Sequence, residues 1–158
     1  MKSRKLADIL IICSAVLFAA CGAAATGIGE NQIFETGTND ARFRVETVAT
    51  GLEVPWGFAW LPNKDLIFTE RPGRVRIIEN GKLRTEPVFV VPDVEPSGES
   101  GLMDIALHPD FKTNGLIYLS YHKPRGELGS NAIWRGRWDG TKIIDGKDIF
   151  ISDDVDAL

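Results

Sequence analysis

The feature that most constrains the fold is a pattern of short apolar strands and turn residues that occurs twice in the chain. Phe58-Ala59-Trp60-Leu61-Pro62 and Ile105-Ala106-Leu107-His108-Pro109 match at a separation of 47 residues, and each is followed by a turn and another apolar strand. Four-stranded units that recur every ~40 to 50 residues are typical of a β-propeller. Two unrelated meanders of a β-sandwich are the alternative that this pattern leaves open.

Residue alternation predicts a lead-in strand at 43–49 and then two sets of four strands, without a periodic segment of helix length. The two sets are residues 56–61, 66–70, 74–78 and 86–91, followed by 102–107, 116–121, 132–138 and 148–151. Asn80-Gly81 is the strongest hairpin signal, because a two-residue type I′ turn needs positive φ at both positions. The predicted fold class is therefore all-β.

Two such units are too few for a closed ring, since a propeller of at least four blades needs roughly 160 to 200 residues at this period. The strand-bearing part covers only residues 42–158 and ends on Asp153-Asp154-Val155-Asp156-Ala157-Leu158, without a closing strand. We therefore expect residues 42–158 to be the N-terminal part of a truncated propeller, with only about the first two blades.

Composition narrows the possible functions. With 44% hydrophobic and 25% charged residues, the chain matches an ordinary soluble domain. Its net charge of -4 and its lack of a Lys/Arg block argue against nucleic acid as a partner.

Residues 1–20 have the pattern of a signal peptide. Lys2, Arg4 and Lys5 precede an apolar run at 9–20, which is shorter than the ~20 residues that span a bilayer. Leu17-Phe18-Ala19-Ala20-Cys21-Gly22 resembles a bacterial lipoprotein cleavage site, so we expect export to the periplasm and lipidation of Cys21. Phe18 stands where leucine is usual, which leaves cleavage by the ordinary secretory peptidase as the alternative.

The segment after the predicted cleavage site, residues 22–41, is rich in Gly, Ala, Thr and Asn and is predicted to be a flexible tether. The chain has two cysteines, Cys13 and Cys21, and both precede this segment. A body without cysteine cannot form a disulfide, so its stability must come from packing.

The stretch Gly98-Glu99-Ser100-Gly101-Leu102-Met103-Asp104-Ile105-Ala106-Leu107-His108-Pro109-Asp110-Phe111 combines a glycine turn, a buried strand and a His-Pro-Asp exit. It resembles the GQ(N/G)GLL(G/D)xAxHPDF signature of the glucose/sorbosone dehydrogenase family, the soluble aldose dehydrogenases that depend on pyrroloquinoline quinone (PQQ). Residues 48–62, 69–74 and 117–121 resemble the same family in the same order.

The resemblance implies a six-bladed propeller in the periplasm that holds PQQ and Ca²⁺ and oxidises the C1 hydroxyl of an aldose substrate to a lactone. A base takes the hydroxyl proton, hydride passes to the quinone, and calcium acts as a Lewis acid. In the family, the histidine that acts as this base and the ligands of PQQ and Ca²⁺ come from segments beyond the end of this chain. No catalytic, cofactor-binding or metal residue is therefore assigned here, and this piece alone is expected to be inactive.

One family position carries over, Glu99, as a candidate substrate-binding residue. Sugar-oxidising relatives usually have a glutamine there that contacts the substrate near the reacting hydroxyl. An ionised glutamate accepts a hydrogen bond but cannot donate one, so the replacement bears on substrate preference or on whether sugar is oxidised at all. A solvated loop carboxylate is the alternative.

Other candidates have structural interpretations. His108 is predicted to belong to a strand-ending turn in which Asp110 bonds its own backbone, and His122 to the rim of a long loop. The run Asp153, Asp154 and Asp156 lacks the glycine and distal glutamate of a calcium loop and is predicted to be a solvated acidic end. Trp56, Trp60, Trp134 and Trp138 are predicted to pack between blades.

Two further functions stay open. A lipid-anchored propeller that has lost the cofactor would bind glycans or other envelope proteins, and Glu99 in place of glutamine slightly favours it. A metal-dependent lactonase would need a channel-facing Glu/Asn/Asp site, for which the sequence offers no candidate set.

Overall fold

The computed structural model describes residues 32–35, 42–125 and 128–153, in two compact units divided at Glu46 and Thr47. In the first unit, β1 (Gln32–Glu35) pairs antiparallel with β2 (Arg42–Val45). The segment predicted as a flexible tether therefore contains a strand, and the lead-in strand predicted at 43–49 already ends at Val45. The predicted signal peptide and Cys21 lie outside the described residues. No helix in the described ranges is long and apolar enough to cross a membrane.

The second unit begins with an antiparallel sheet in the order β3-β4-β5-β6. Its strands are β3 (Pro55–Trp60), β4 (Leu66–Glu70), β5 (Arg74–Glu79), β6 (Lys82–Leu83) and β7 (Phe89–Val90), which also pairs with β5. Asn80 and Gly81 have φ of 50° and 76° and join Glu79 to its partner Lys82, which confirms the predicted hairpin turn. The strand predicted at 86–91 shrinks to β7, because Pro87 has no N–H with which to pair.

The second sheet of this unit has the order β8-β9-β10-β11. Its elements are β8 (Leu102–Leu107), the single-turn helix α1 (Phe111–Asn114), β9 (Leu116–Arg125), β10 (Leu128–Trp138) and β11 (Ile143–Ile151). All four predicted strands are present, but β9, β10 and β11 are longer than predicted. Gly115 ends α1 in the left-handed conformation and donates its N–H to the carbonyl of Phe111.

The repeat seen in the sequence is also a repeat of hydrogen bonds. Leu61 donates its N–H to the carbonyl of Asp65 and accepts from Lys64, at 2.9 and 2.8 Å. At the matching position, His108 donates to Leu116 and accepts from Phe111, at 3.0 and 2.8 Å. The first strand of each sheet thus ends in the same kind of turn.

One core joins the two sheets. Ile67, Val75 and Ile77 from the first sheet and Leu102 and Ile117 from the second are fully buried in a single cluster. β3 lies beside β8, and farther out Ile143 of β11 donates its N–H to the carbonyl of Val88 at 3.2 Å. The sheets therefore repeat the same order outward from β3 and β8, as successive blades of a β-propeller do.

The four tryptophans divide into two classes. Trp134 is 4% exposed and stacks on Phe89 of the first sheet with ring centroids 4.4 Å apart, and Trp138 packs half-buried against the same core. Trp56 and Trp60 are 48% and 61% exposed, so they do not pack between the two blades of this chain. Strand alternation places them on the face of β3 opposite to Ala59, which packs on the core.

Candidate functional site

Glu99 lies at the tip of the loop between β7 and β8. Ser100 donates its N–H to the carbonyl of Ser97 at 2.8 Å, which closes a tight turn, and Gly98 supplies the positive φ of 53° that the turn needs. The side chain of Glu99 is exposed. Within the described part of the chain its carboxylate makes no hydrogen bond, so it is free to accept one from a ligand.

The backbone of His122 in β9 holds both ends of this loop. His122 donates its N–H to the carbonyl of Gly101 at 2.9 Å and accepts from the N–H of Glu95 at 3.0 Å. The hydroxyl of Ser100 adds an internal contact, because it lies 2.7 Å from the carbonyl of Glu95 and accepts from the N–H of Ser97. The second sheet thus defines where the loop starts and where it ends.

The first sheet holds the same loop through Arg71, which follows β4. The carbonyl of Arg71 accepts from the N–H of Leu102 at 2.9 Å, and its guanidinium Nη1 donates to the carbonyl of Gly98 at 2.5 Å. Gly101 makes this approach possible, since a Cβ at that position would stand 2.5 Å from the carbonyl oxygen of Arg71. The loop that carries Glu99 is therefore held between the two sheets.

A buried ion cluster lies immediately before Arg71. Glu70 is fully buried. Its Oε1 accepts a hydrogen bond from the N–H of Glu53 at 2.8 Å. Its Oε2 accepts from Arg74 Nε at 2.7 Å and from Arg76 Nη1 at 3.2 Å. Burial by itself raises the pKa of Glu70, but the bonds from Glu53, Arg74 and Arg76 outweigh it and hold that pKa below its ordinary value. The cluster fixes the end of β4, from which Arg71 projects.

Neither this cluster nor the loop contacts of Arg71 are predicted by the sequence patterns. Both lie in Thr69-Glu70-Arg71-Pro72-Gly73-Arg74, a segment of family resemblance to which no role was assigned. The available signal was a glutamate on a short apolar strand, since a buried carboxylate requires cationic or N–H partners.

The two histidines have different surroundings. His108 Nδ1 accepts from the N–H of Asp110 at 3.0 Å and lies 2.9 Å from Asn114 Nδ2, which agrees with its predicted structural role. The turn bond is made by the ring of His108, whereas the prediction gave it to the carboxylate of Asp110.

The prediction that His122 lies on the rim of a long loop is wrong. His122 is 3% exposed within β9. β9 and β10 continue to pair where a loop was expected, with His122 opposite Asn131. Its Nδ1 lies 3.5 Å from Asn131 Oδ1, and its Nε2 is buried without a partner among the described residues.

The described residues do not fit a metal site. No group of three or more His, Cys, Asp or Glu side chains in them could hold a metal ion. Of the acidic run, Asp153 is exposed, and Asp154 and Asp156 lie outside the described residues. The candidate site in this chain thus consists of the loop that carries Glu99 and the contacts that hold it.

An open apolar groove of about 350 Å³ lies on the first sheet. It is lined by Val48, Trp56, Phe58, Phe68 and Ile78, among others. None of its lining residues belongs to the loop that carries Glu99, so the groove is a separate surface.

Comparison with known proteins identifies the family that this chain resembles. The family model for glucose / sorbosone dehydrogenase matches residues 52–156. Aldose sugar dehydrogenase YliI of Escherichia coli is 36% identical over 115 residues, which are 70% of this chain and 31% of that protein. The uncharacterized protein slr1608 of Synechocystis sp. is 39% identical over 120 residues, 71% of this chain and 29% of that protein.

The structural comparison agrees with these matches. The PQQ-bound form of the aldose sugar dehydrogenase of Streptomyces coelicolor is 29% identical with a TM-score of 0.61, over 78% of this chain and 35% of that one. Hedgehog-interacting protein of Homo sapiens is also similar, 32% identical over 87 residues, which are 50% of this chain and 12% of that protein.

The chain spans about 30% of the length of the first two relatives, which matches its two propeller blades. The matched range includes both sheets, the buried cluster around Glu70 and the loop that carries Glu99. The chain therefore belongs to the glucose/sorbosone dehydrogenase family.

Proposed function

We propose that this chain is the N-terminal third of a PQQ-dependent dehydrogenase that oxidises the C1 hydroxyl of aldose sugars to lactones, and that it is inactive alone. The observation that carries the proposal is the match to the glucose / sorbosone dehydrogenase family model over residues 52–156, a range that includes Glu99 at an exposed loop tip held from two sheets. The names of the enzymes similar to this chain, aldose sugar dehydrogenases and a quinoprotein glucose dehydrogenase, support the substrate class and the cofactor.

In this proposal the chain contributes substrate orientation. The carboxylate of Glu99 accepts a hydrogen bond from a sugar hydroxyl and presents the ring in one orientation. When bound, PQQ supplies the hydride acceptor and Ca²⁺ supplies Lewis acidity. The family resemblance implies that the residues that bind PQQ and Ca²⁺, and the base, come from segments outside this chain.

The proposed location is the periplasmic face of a bacterial envelope, with Cys21 as the lipid attachment site after removal of residues 1–20. Lys2, Arg4, Lys5 and the apolar run at 9–20 support export. Growth with a labelled fatty acid should label the protein, and Cys21→Ala should abolish the label. Equal labelling of the variant would contradict lipidation at Cys21.

The activity is tested on the full-length product of the reading frame that contains this chain. PQQ, Ca²⁺, a panel of aldoses and an artificial electron acceptor are added, and dye reduction is followed. We expect reduction with at least one aldose, loss of most of it in Glu99→Ala, and none from residues 1–158 alone. No dye reduction with any aldose would refute the proposal.

A propeller that binds glycans or envelope proteins without oxidising them is the second candidate. It is favoured by Glu99 in place of the usual glutamine, and one similar protein is named as an interacting protein. Aldose or glycan binding that is unchanged by omission of PQQ and Ca²⁺, without dye reduction, would identify this function. Reading the downstream sequence for the histidine that acts as the base in the family separates the two candidates independently.

A further inference from the structure

The loop that carries Glu99 is closed by its own hydrogen bonds and is also held from outside. Glu99 lies between Gly98 and Gly101, whose φ angles are 53° and 132°, and glycine restricts the backbone less than any other residue. The other loop residues near the tip, Ser97 and Ser100, bond mainly to each other and to Glu95. These internal bonds close the turn, and contacts from outside the loop fix its position relative to the two sheets.

Arg71 provides two of these contacts from a single residue. Its carbonyl accepts from Leu102 on one side of Glu99, and its guanidinium donates to the carbonyl of Gly98 on the other. Hydrogen bonds from a charged donor are about twice as strong as neutral ones. The side-chain bond is the one that reaches the tip, because Gly98 directly precedes Glu99.

The path of the Arg71 side chain depends on Gly101. A Cβ at position 101 would stand 2.6 Å from Arg71 Cγ and 2.5 Å from its carbonyl oxygen. Any other residue at 101 would push Arg71 away from Gly98. The turn after β4 and the loop before β8 are therefore built to fit each other.

We propose that Arg71 is a positioning residue for the substrate: its guanidinium, bonded to the carbonyl of Gly98, holds the carboxylate of Glu99 in the orientation that accepts the sugar hydroxyl. This inference rests on the proposed function and adds to it a residue that makes no contact with substrate.

The test uses full-length protein with Arg71→Gln, and Arg84→Gln as the matched control. Arg84 Nη1 donates to the carbonyl of Thr141 and so also joins the first sheet to the second. Its other side-chain hydrogen bonds among the described residues go to Glu79, and none goes to the loop that carries Glu99. Hydrogen exchange of the peptide covering residues 95–101 is measured alongside aldose kinetics. We expect faster exchange of this peptide and a fall of about tenfold in kcat/KM for Arg71→Gln only, since misplacement by 1 Å can cost 10²-fold.

The double variant decides whether Arg71 acts through Glu99. In a Glu99→Ala background, Arg71→Gln should cause no further loss of kcat/KM, because the group that it positions is gone. Additive losses, or exchange at 95–101 equal to that of Arg84→Gln, would overturn the inference while leaving the proposed function in place. If no aldose is oxidised by the unaltered protein, the proposed function fails, and the exchange measurement still decides whether Arg71 holds the loop.

Discussion

The hydroxyl of Thr69 in β4 donates a hydrogen bond to the carbonyl of Met103 in β8 at 2.6 Å, across the boundary between the two sheets. The same oxygen accepts from the N–H of Gly57 in β3 at 2.9 Å. Thr69 is fully buried, so neither bond competes with water. One hydroxyl therefore joins three strands where the first strands of the two blades meet.

Replacement of Thr69 by valine should destabilise the protein by about 2 kcal/mol, because it leaves a buried carbonyl and a buried N–H without their partner. Thr69→Ser keeps the hydroxyl and should retain most of the stability. Urea denaturation of both variants measures the difference. A loss of stability in Thr69→Ser as large as that in Thr69→Val would contradict the assignment of the stabilisation to the hydroxyl.

Glu70→Gln should lower the free energy of unfolding by roughly 2 kcal/mol, since it leaves two arginines without their buried counter-charge. Glu53→Gln is the control. Glu53 also pairs with Arg74, at 2.7 Å, but its side chain is 60% exposed, so its loss should cost at most about 0.5 kcal/mol. A loss for Glu53→Gln as large as that for Glu70→Gln would contradict the assignment of Glu70 as the centre of the cluster.

The same carboxylate predicts sensitivity to acid. Because the pKa of folded Glu70 lies below its ordinary value of 4.5, its contribution to stability is complete above pH 4.5 and is lost as the pH falls through the folded pKa. The stability of Glu70→Gln should therefore depend less steeply on pH in this acidic range. Parallel stability curves for the two proteins, measured by thermal unfolding, would refute this assignment.

Gly129→Ala should destabilise the β9–β10 hairpin, because a Cβ there would stand 1.8 Å from His122 Nε2. His122 is buried and has little room to move, so overpacking should cost about 2 kcal/mol. In a His122→Ala background the cost of Gly129→Ala should nearly disappear, which a double-mutant cycle of unfolding free energies would show. Independent, additive effects would mean that the two residues do not meet.

The tryptophans of the 158-residue chain should differ in their access to solvent. In variants that retain a single tryptophan, acrylamide should quench Trp60 several-fold more strongly than Trp134, because their exposed fractions are 61% and 4%. Quenching of Trp60 as weak as that of Trp134 would show that the face of β3 that carries Trp60 is covered, for example by a second copy of the chain. Dilution of the sample would then restore the difference.

Local chemistry explains what could be predicted. β4 and β8 were predicted with the bounds that the structure has, and Asn80-Gly81 was identified as a turn, because strand alternation and positive φ are properties of a few neighbouring residues. His122 was misplaced for the same reason. Pro124 and Gly129 indicate a loop locally, and only the pairing of β9 with β10 makes residues 122–125 and 128–131 strands.

The order of the strands, the two-unit repeat and the position of Glu99 at a strand entrance were determined by the sequence itself, since each follows from residues that are adjacent in the chain. Tertiary structure alone decided that Glu70 is buried, that Trp56 and Trp60 are exposed in this chain, and that Arg71 reaches Gly98. These three features depend on which faces of separate strands meet. Glu53 and Glu70, 17 residues apart, meet through the pairing of β3 with β4. Arg71 with Gly98 and Thr69 with Met103, 27 and 34 residues apart, come together only when the two blades pack on one core.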